Sequence, residues 1–572
     1  MNFALPSVLK YKRSYLKHDI IAALVVTAVA IPQSLAFAII VGLPPVTGLY
    51  TAMIAPVVFA LFAFTRRAIV GPDSATTAVV ASGAILIAQA GTAAHANAVA
   101  VICLLSAGML LFMWAFRLGF LAELISRPVL VGFFAGVGLQ LIISSVPGML
   151  GLDSSGNLWQ HVTTVAQTIA DTNGMAFTVS ILVVGMILVL RKTPIPGELA
   201  GLVLAILFAL AFNIKSYDVV MVGALPGGFP QFTMPNFTLE QITTLLPAAV
   251  SVALVVLAQG SAVIRSSAAK HNDKVRLNQD LFSLGLANAA SALFQGYSAN
   301  VSVVRTEAAL DAKAKSQLVN IVSGLLIALV LLFGASVFEY MPQSALASIV
   351  FVIGFYLIKA RELVCIWKTH RTEFFVATVA ALGTVAFGVL QGVFIAVIVS
   401  LAERLSREYR PKDDILLLDG ELSAWAVERV GKKTLGDHTD GVLVYQFDGS
   451  LFFENVTYFV GRVKRAIERA KTPVRHVVID AGAIDSIDYT AAEEIKRFCE
   501  KLETKSITIG FSHVTPNLRQ QLDRFDITKL IGSRHIYATL TDALSVDKAT
   551  VKSEKTVSKT ERAARRAQAQ EH

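Results

Sequence analysis

Charge is scarce in this 572-residue chain: Asp, Glu, Lys and Arg make up 16% of it, where a soluble globular protein carries about a quarter. Hydrophobic residues reach 54% and the mean hydropathy is +0.62. The shortage is uneven. Runs such as Asp19–Gly42, Thr178–Leu190 and Phe374–Leu401 lack the polar stripe of a surface helix, so lipid is their expected solvent. After Arg410 the texture becomes that of a soluble domain. Cysteine is equally scarce. Cys103, Cys365 and Cys499 stand far apart, which excludes a disulfide framework and a zinc-type cluster. No catalytic triad, phosphate-binding loop or metal motif emerges, so neither an enzyme nor a cofactor or metal is expected. The first apolar segment is too long for the core of a cleaved signal and reads as a retained helix.

What the chain has is an excess of basic residues, with a formal net charge of +9. No basic face with interleaved aromatics accompanies it, so nucleic acid is not the expected partner. At roughly 17–25 residues per span, with allowance for broken helices, the chain divides into about fourteen segments. They lie near 19–42, 46–64, 74–90, 98–117, 129–150, 175–191 and 198–213. A second set lies near 246–265, 280–294, 300–311, 317–335, 343–360, 372–389 and 391–406. With the N-terminus inside, alternate loops collect the basic residues: Lys10 to Lys17, Arg66 and Arg67, Arg117 and Arg127, Arg191 and Lys192, Lys270 to Arg276, Lys313 and Lys315, Lys359 to Arg371, and Arg404 to Arg410. The outside loops 151–174 and 214–245 hold only Lys215. This asymmetry puts the C-terminal part in the cytoplasm; the expected location is a bacterial cytoplasmic (inner) membrane.

The third and tenth segments are short. Each follows a helix-breaking stretch, Val70-Gly-Pro-Asp73 or Gly296-Tyr-Ser-Ala-Asn300, and each is rich in hydroxyl side chains: Ser74, Thr76 and Thr77 in one, Ser298 and Ser302 in the other. They hold the same place in two halves of about seven segments, the pattern of an inverted-repeat transporter with its site at the midplane. Two ordinary helices with packing glycines are the alternative. A helix that starts inside the membrane aims free N–H groups and about half a positive charge at whatever lies before it. Two such starts facing each other would hold a small anion. Pro72 suits the first turn of one half-helix, and Ser298 or Asn300 can cap the other. Arg305 would raise the local positive potential, unless it snorkels at the boundary instead.

Three stretches carry a family resemblance. Ala30-Ile-Pro-Gln-Ser-Leu-Ala-Phe-Ala38, Gly42-Leu-Pro-Pro-Val-Thr-Gly-Leu-Tyr50 and Val70-Gly-Pro72 resemble the sulfate permease (SulP) family. Asn278-Gln-Asp-Leu281, Gly285-Leu-Ala-Asn288, Val304-Arg-Thr306 and Lys315-Ser-Gln317 extend the match over nearly the whole chain. The resemblance implies a polytopic α-helical membrane protein with a seven-plus-seven inverted repeat, as in uracil permeases, whose core and gate move by an elevator-like mechanism. It implies secondary transport, by symport or exchange, of sulfate, bicarbonate or dicarboxylate anions, and a homodimer in the bilayer. It places the anion among Gln33 and Phe37, Ala75 and Thr76, and Val301, Ser302 and Arg305. Gln33 can donate an amide hydrogen bond, Phe37 a polarised ring edge and Ser302 a hydroxyl.

Two positions depart from the family pattern. Where many bacterial members carry an acid on the eighth segment, this chain has Gln259, which cannot carry a titrating proton. Asp73 is the other candidate for a coupling position, with helix capping as its competing role. Val304 stands where a hydroxyl is frequent. The C-terminal part reads as α/β, with strands at Gly441–Phe447, Val474–Asp480 and Ile507–Phe511 and helices at Asn455–Ala470 and Thr490–Leu502. It resembles a regulatory STAS domain (sulfate transporter and anti-sigma antagonist), with Thr490 matching a phosphorylatable position or capping its own helix. The expected organisation is a transport domain over 1–410, a linker and domain start over 411–440, the STAS domain over 441–547 and a charged, disordered tail over 548–572. Two other functions compete: an uncoupled, channel-like anion conductance on the same fold, and a membrane-tethered STAS signalling protein.

Overall fold

A computed structural model describes residues 11–123, 126–152, 158–193, 195–223, 226–419, 424–429 and 441–543. The tail from 548, the expected end of the STAS domain at 544–547 and parts of the 411–440 linker lie outside the described residues. The chain divides into two compact units, Met1–Leu401 and Ala402–His572.

The first half of the membrane unit contains α1 (Leu16–Val41), α2 (Val46–Phe62), the strand β1 (Val70–Pro72), α3 (Ser74–Ala84), α4 (Ala93–Ala115) and α5 (Arg127–Leu150). It continues through α6 (Leu158–Thr168), α7 (Gly174–Leu190) and α8 (Gly197–Phe212). The second half opens with α9 (Leu239–His271), α10 (Leu277–Leu293), the strand β2 (Ala299–Val301) and α11 (Val303–Asp311). It closes with α12 (Leu318–Phe333), α13 (Gln343–Leu357), α14 (Ala360–Thr369), α15 (Arg371–Phe387) and α16 (Val389–Tyr409). Every expected segment has its helix. The third is shorter than expected, ending at Ala84, and the tenth begins as strand rather than helix. α6 and α14 fall in stretches read only as loops.

The packing reveals the repeat. α1 of the first half lies against α11 and α12; α9 of the second half lies against α3 and α4. α2 meets its counterpart α10, and α5 meets α13. Two bodies result, one of α1–α4 with α9–α12 and another built on α5, α7, α8, α13 and α15. Small residues set the close approaches. A Cβ on Gly138 would come within 2.5 Å of the Gly354 carbonyl, and one on Gly354 within 2.7 Å of the Gly138 carbonyl. Without a hydrophobic drive between helices in lipid, such backbone-to-backbone contact is what tightens a helix pair.

The second unit is a six-stranded sheet in the order β4-β3-β5-β6-β7-β8. Its strands are β3 (Asp413–Asp419), β4 (Ala424–Arg429), β5 (Val442–Phe447), β6 (His476–Asp480), β7 (Thr508–Ser512) and β8 (Ile536–Tyr537). β5 through β8 are parallel, and β3 is antiparallel to both neighbours. Among the described residues four α-helices accompany it: α17 (Val456–Arg469), α18 (Tyr489–Glu503), α19 (Pro516–Arg524) and α20 (Ile527–Ile531). Their apolar faces close one core with Tyr445, Phe447, Phe459, Phe498 and Phe511.

Candidate functional site

The two unwound stretches pair with each other. β1 and β2 run antiparallel with Val70 opposite Val301, Gly71 opposite Asn300 and Pro72 opposite Ala299. α3 therefore leaves one end of this short ladder and α11 the other, with Asp73 and Ser302, the residues just before them, about 13 Å apart along the strands. Backbone this deep in a membrane must be satisfied by protein, and polar side chains do it. Ser302 N–H donates to the Ile69 carbonyl, and Thr306 Oγ1 accepts from the Ile69 amide at 3.1 Å. Asn320 accepts from Val70 N–H at 3.3 Å while its amide and that of Gln317 donate to the Ala68 carbonyl. Asn288 accepts from Ala299 N–H at 2.9 Å and from Ser298 Oγ at 3.0 Å.

This accounting corrects two expectations. Pro72 lies in β1, not in the helix; α3 is capped by Asp73, whose Oδ2 accepts from Ala75 N–H at 3.2 Å. α11 is capped neither by Ser298 nor by Asn300, because both are tied to the ladder. Ser302 caps it, accepting from Arg305 N–H at 3.4 Å. A cap must sit one residue before its helix, and the strand delays both helix starts.

Arg305 is 1% exposed, which rules out the boundary role. Its Nε donates to Gln33 Oε1 at 3.4 Å and its Nη2 to Ser34 Oγ at 3.3 Å. The guanidinium lies over Gly71: a Cβ there would stand 2.0 Å from Arg305 Nη1. Gln33 and Phe37 share one face of α1, four residues apart, and Pro32 lies inside that helix just before them. Gln33, Phe37, Ala75, Thr76, Val301 and Ser302 are all buried. Thr76 Oγ1 donates to the Asp73 carbonyl at 3.2 Å, so that hydroxyl is turned onto its own helix. Ser34 and Gly71 belong to the quoted motifs, yet nothing in the sequence alone gives them these contacts.

Gln259 and Asp73 meet. The Gln259 amide donates to Asp73 Oδ1 at 2.9 Å across 186 residues of sequence. The two candidate coupling positions are thus one hydrogen-bonded pair at the start of α3. Among the described residues no three His, Cys, Asp or Glu side chains are placed to hold a metal. The chemistry present is that of an anion receptor: two helix starts, a buried guanidinium and several amide and hydroxyl donors.

In the second unit the α18 cap is Asp488, which accepts from Ala491 N–H at 2.7 Å and from Phe453 N–H at 2.9 Å. Thr490, expected as either cap or phosphosite, is not the cap. It stands exposed in the first turn of α18.

Comparison with known proteins follows the same division. Residues 16–380 match the sulfate permease family and residues 436–543 match the STAS domain. The chain is 28% identical over 538 residues to the probable sulfate transporter Rv1739c of Mycobacterium tuberculosis, covering 94% of this chain and 96% of that one. It is 26% identical over 555 residues to the chloroplastic sulfate transporter 4.1 of Arabidopsis thaliana, covering 93% and 80%. Its fold is similar to murine Slc26a9 in the inward-facing state, with a TM-score of 0.85 at 19% identity over 95% and 93% of the two chains. It is also similar to the transmembrane domain of the cyanobacterial bicarbonate transporter BicA, with a TM-score of 0.61 at 20% identity over 68% and 99%. A broken-helix site between two inverted halves, and a family match over most of the membrane unit, make this chain an integral membrane member of the sulfate permease family, a transporter rather than an enzyme, with a C-terminal STAS domain.

Proposed function

We propose that this protein carries a small oxyanion of the sulfate or bicarbonate class across the membrane by alternating access. The anion sits between the starts of α3 and α11, against Arg305, Ser302, Gln33 and the edge of Phe37. The body of α1–α4 and α9–α12 carries it past the α5–α8 and α13–α16 body in an elevator-like stroke. One observation supports this above the rest: a fully buried arginine whose fork, among the described residues, hydrogen-bonds to the neutral side chains of Gln33 and Ser34 at 3.3–3.4 Å. Contacts that long are readily exchanged for a charged oxygen, which accepts a shorter and stronger bond. The names of relatives, sulfate transporters and a bicarbonate transporter, favour those two anions over dicarboxylates.

The protein acts in this reading as a homodimer of a bacterial cytoplasmic membrane, with its N-terminus and STAS domain cytoplasmic. The STAS domain regulates or assembles it, and Thr490 is a phosphosite. An uncoupled, channel-like conductance is the second reading, favoured by Gln259, which cannot exchange a proton with the site. The test is uptake into proteoliposomes from a panel of sulfate, bicarbonate, chloride and dicarboxylates. Carrier function predicts saturable flux that Arg305→Ala reduces about tenfold or more in affinity. Flux linear in anion concentration, with single-channel currents, would select the conductance. Uptake indifferent to Arg305→Ala would remove the site.

A further inference from the structure

Asn300, in the middle of β2, is fully buried, and its Oδ1 accepts from the Val301 N–H at 2.7 Å. Its Nδ2 is buried as well and, among the described residues, has no hydrogen-bond partner. One acceptor on α9 is in the same position. Gln259 is 6% exposed, its Nε2 donates to Asp73 Oδ1 at 2.9 Å, and its Oε1 has no partner among the described residues. We propose that Asn300 Nδ2 and Gln259 Oε1 bind the transported anion as donor and acceptor, and that they select an oxyanion bearing a hydroxyl, bicarbonate, over one without. The inference rests on the anion site proposed above and names the member of its substrate class that the site fits.

The ladder fixes where these atoms stand. Asn300 lies directly opposite Gly71, and residues opposite each other in an antiparallel pair direct their side chains to one face, with Cβ positions about 5 Å apart. Gly71 identifies that face, because a Cβ there would stand 2.0 Å from Arg305 Nη1. Asn300 therefore shares its face with the guanidinium. α9 borders the same amide: a Cβ on Gly260 would lie 3.0 Å from Asn300 Oδ1. Gln259 is the preceding residue of α9 and reaches Asp73, the cap of α3. The donor thus stands beside the guanidinium, and the acceptor beside the start of α3.

Neither amide gains by turning over. Reversing Asn300 would set two donors, its Nδ2 and the Val301 N–H, against each other, and reversing Gln259 would set its oxygen against Asp73 Oδ1. A buried donor or acceptor left unpaired costs more than a paired one contributes, so a ligand that satisfies both is favoured over one that satisfies only the donor. Arg305 and Asn300 offer hydrogens, which any oxyanion accepts. Gln259 Oε1 requires the reverse. Sulfate and nitrate carry no hydrogen near neutral pH and leave it unpaired. Bicarbonate has one O–H, which donates to Gln259 Oε1 while its other two oxygens accept from Arg305 and Asn300.

Nitrate is the discriminating probe, because it is planar and singly charged like bicarbonate and differs in lacking the hydroxyl. Binding of both anions to the purified full-length protein would be measured by calorimetry near neutral pH, with thermal unfolding as the folding control. Bicarbonate should bind about tenfold or more tightly than nitrate. Gln259→Met should remove that preference by weakening bicarbonate about tenfold while nitrate stays within about threefold. Asn300→Ala should weaken both anions alike, by about fivefold or more. Should it not fold, Asn300→Asp keeps the oxygen that Val301 uses, replaces the donor with an acceptor, and should lose both anions. Equal affinity of the unaltered protein for the two anions, an unchanged preference in folded Gln259→Met, or unchanged binding by folded Asn300→Ala overturns the proposal. The anion site itself survives those results as long as Arg305→Ala still weakens both anions. If the unaltered protein binds neither anion, or Arg305→Ala changes nothing, the site fails and this inference with it.

Discussion

Gly71→Ala should weaken anion binding without unfolding the protein. Gly71 has no left-handed backbone requirement, so alanine is allowed there, but its methyl would stand 2.0 Å from Arg305 Nη1. Ordinary contact needs about 3.5 Å, so the guanidinium must retreat by about 1.5 Å. The obstructing atom is the tip of a flexible side chain, and β1 keeps its pairing with Asn300, so the fold should lose no more than about 1 kcal/mol. The receptor loses more. Moving the guanidinium by half a hydrogen-bond length removes at least one charge-assisted contact to the anion, worth about 1.5–3 kcal/mol. Dissociation constants should therefore rise about 10- to 150-fold for every transported anion. Sulfate and bicarbonate affinity of purified protein, measured by calorimetry beside thermal unfolding, checks this directly. Gly71→Ala protein that stays folded and binds both anions as before would refute the placement of the anion against Arg305.

Three further outcomes follow from other parts of the chain. Cys365 is exposed in α14 while Cys103 and Cys499 are buried; an impermeant maleimide should label Cys365 only after the cells are permeabilised, and labelling of intact cells would invert the orientation. Burial and the neighbouring His535 push the His476 imidazole down from 6.5 to about 4, so the fold holds it neutral while the unfolded chain takes up a proton. The STAS unit should then be fully stable above about pH 6.5 and lose about 2 kcal/mol by pH 5, read by hydrogen exchange in β6–β8; an equal loss in His476→Phe would contradict this. Asp73→Asn should keep α3 capped, because asparagine offers the same oxygen. It should leave sulfate affinity within about threefold if Asp73 only caps, and a loss of proton-driven uptake would instead make it the coupling acid.

The helix breaks were readable because glycine, proline and hydroxyl residues interrupt otherwise apolar runs, and Arg305 because an ionisable group in such a run demands a partner. The partner itself was not readable. Arg305 and Ser34 are 271 residues apart, and no local pattern encodes a contact of that range. The start of α11 was misplaced, and Pro72 was assigned to the first turn of α3 rather than to β1, because the strand pairing of β1 with β2 is also long-range. Gln317 and Asn320 carried a signal that could have been followed, since polar amides beside or within the apolar Leu318–Phe333 must bond something. α14 escaped because its apolar residues follow a period of 3.6 over only ten positions, too short to register as a membrane segment and too near one to read as a surface helix.

The pairing of Asp73 with Gln259 changes what a glutamate at position 259 would do. Taken alone, Gln259→Glu would add one acid to the site. Facing Asp73 across a contact of 2.9 Å, it creates a carboxyl pair that cannot ionise twice at that distance and holds a proton between its members. That proton exchanges only when the pair opens or meets water, which the proposed alternating access would arrange once on each side. Sulfate uptake by Gln259→Glu should therefore respond to an imposed proton gradient at clamped voltage, and uptake by the unaltered protein should not. Sulfate is the right probe, because bicarbonate changes its own protonation over the same range. Adding Asp73→Asn to Gln259→Glu should shift the pH at which uptake changes, since the surviving acid then titrates alone. A double variant with the same pH profile as Gln259→Glu would show that the two side chains do not meet in the working transporter, and the reading of this pair would fail.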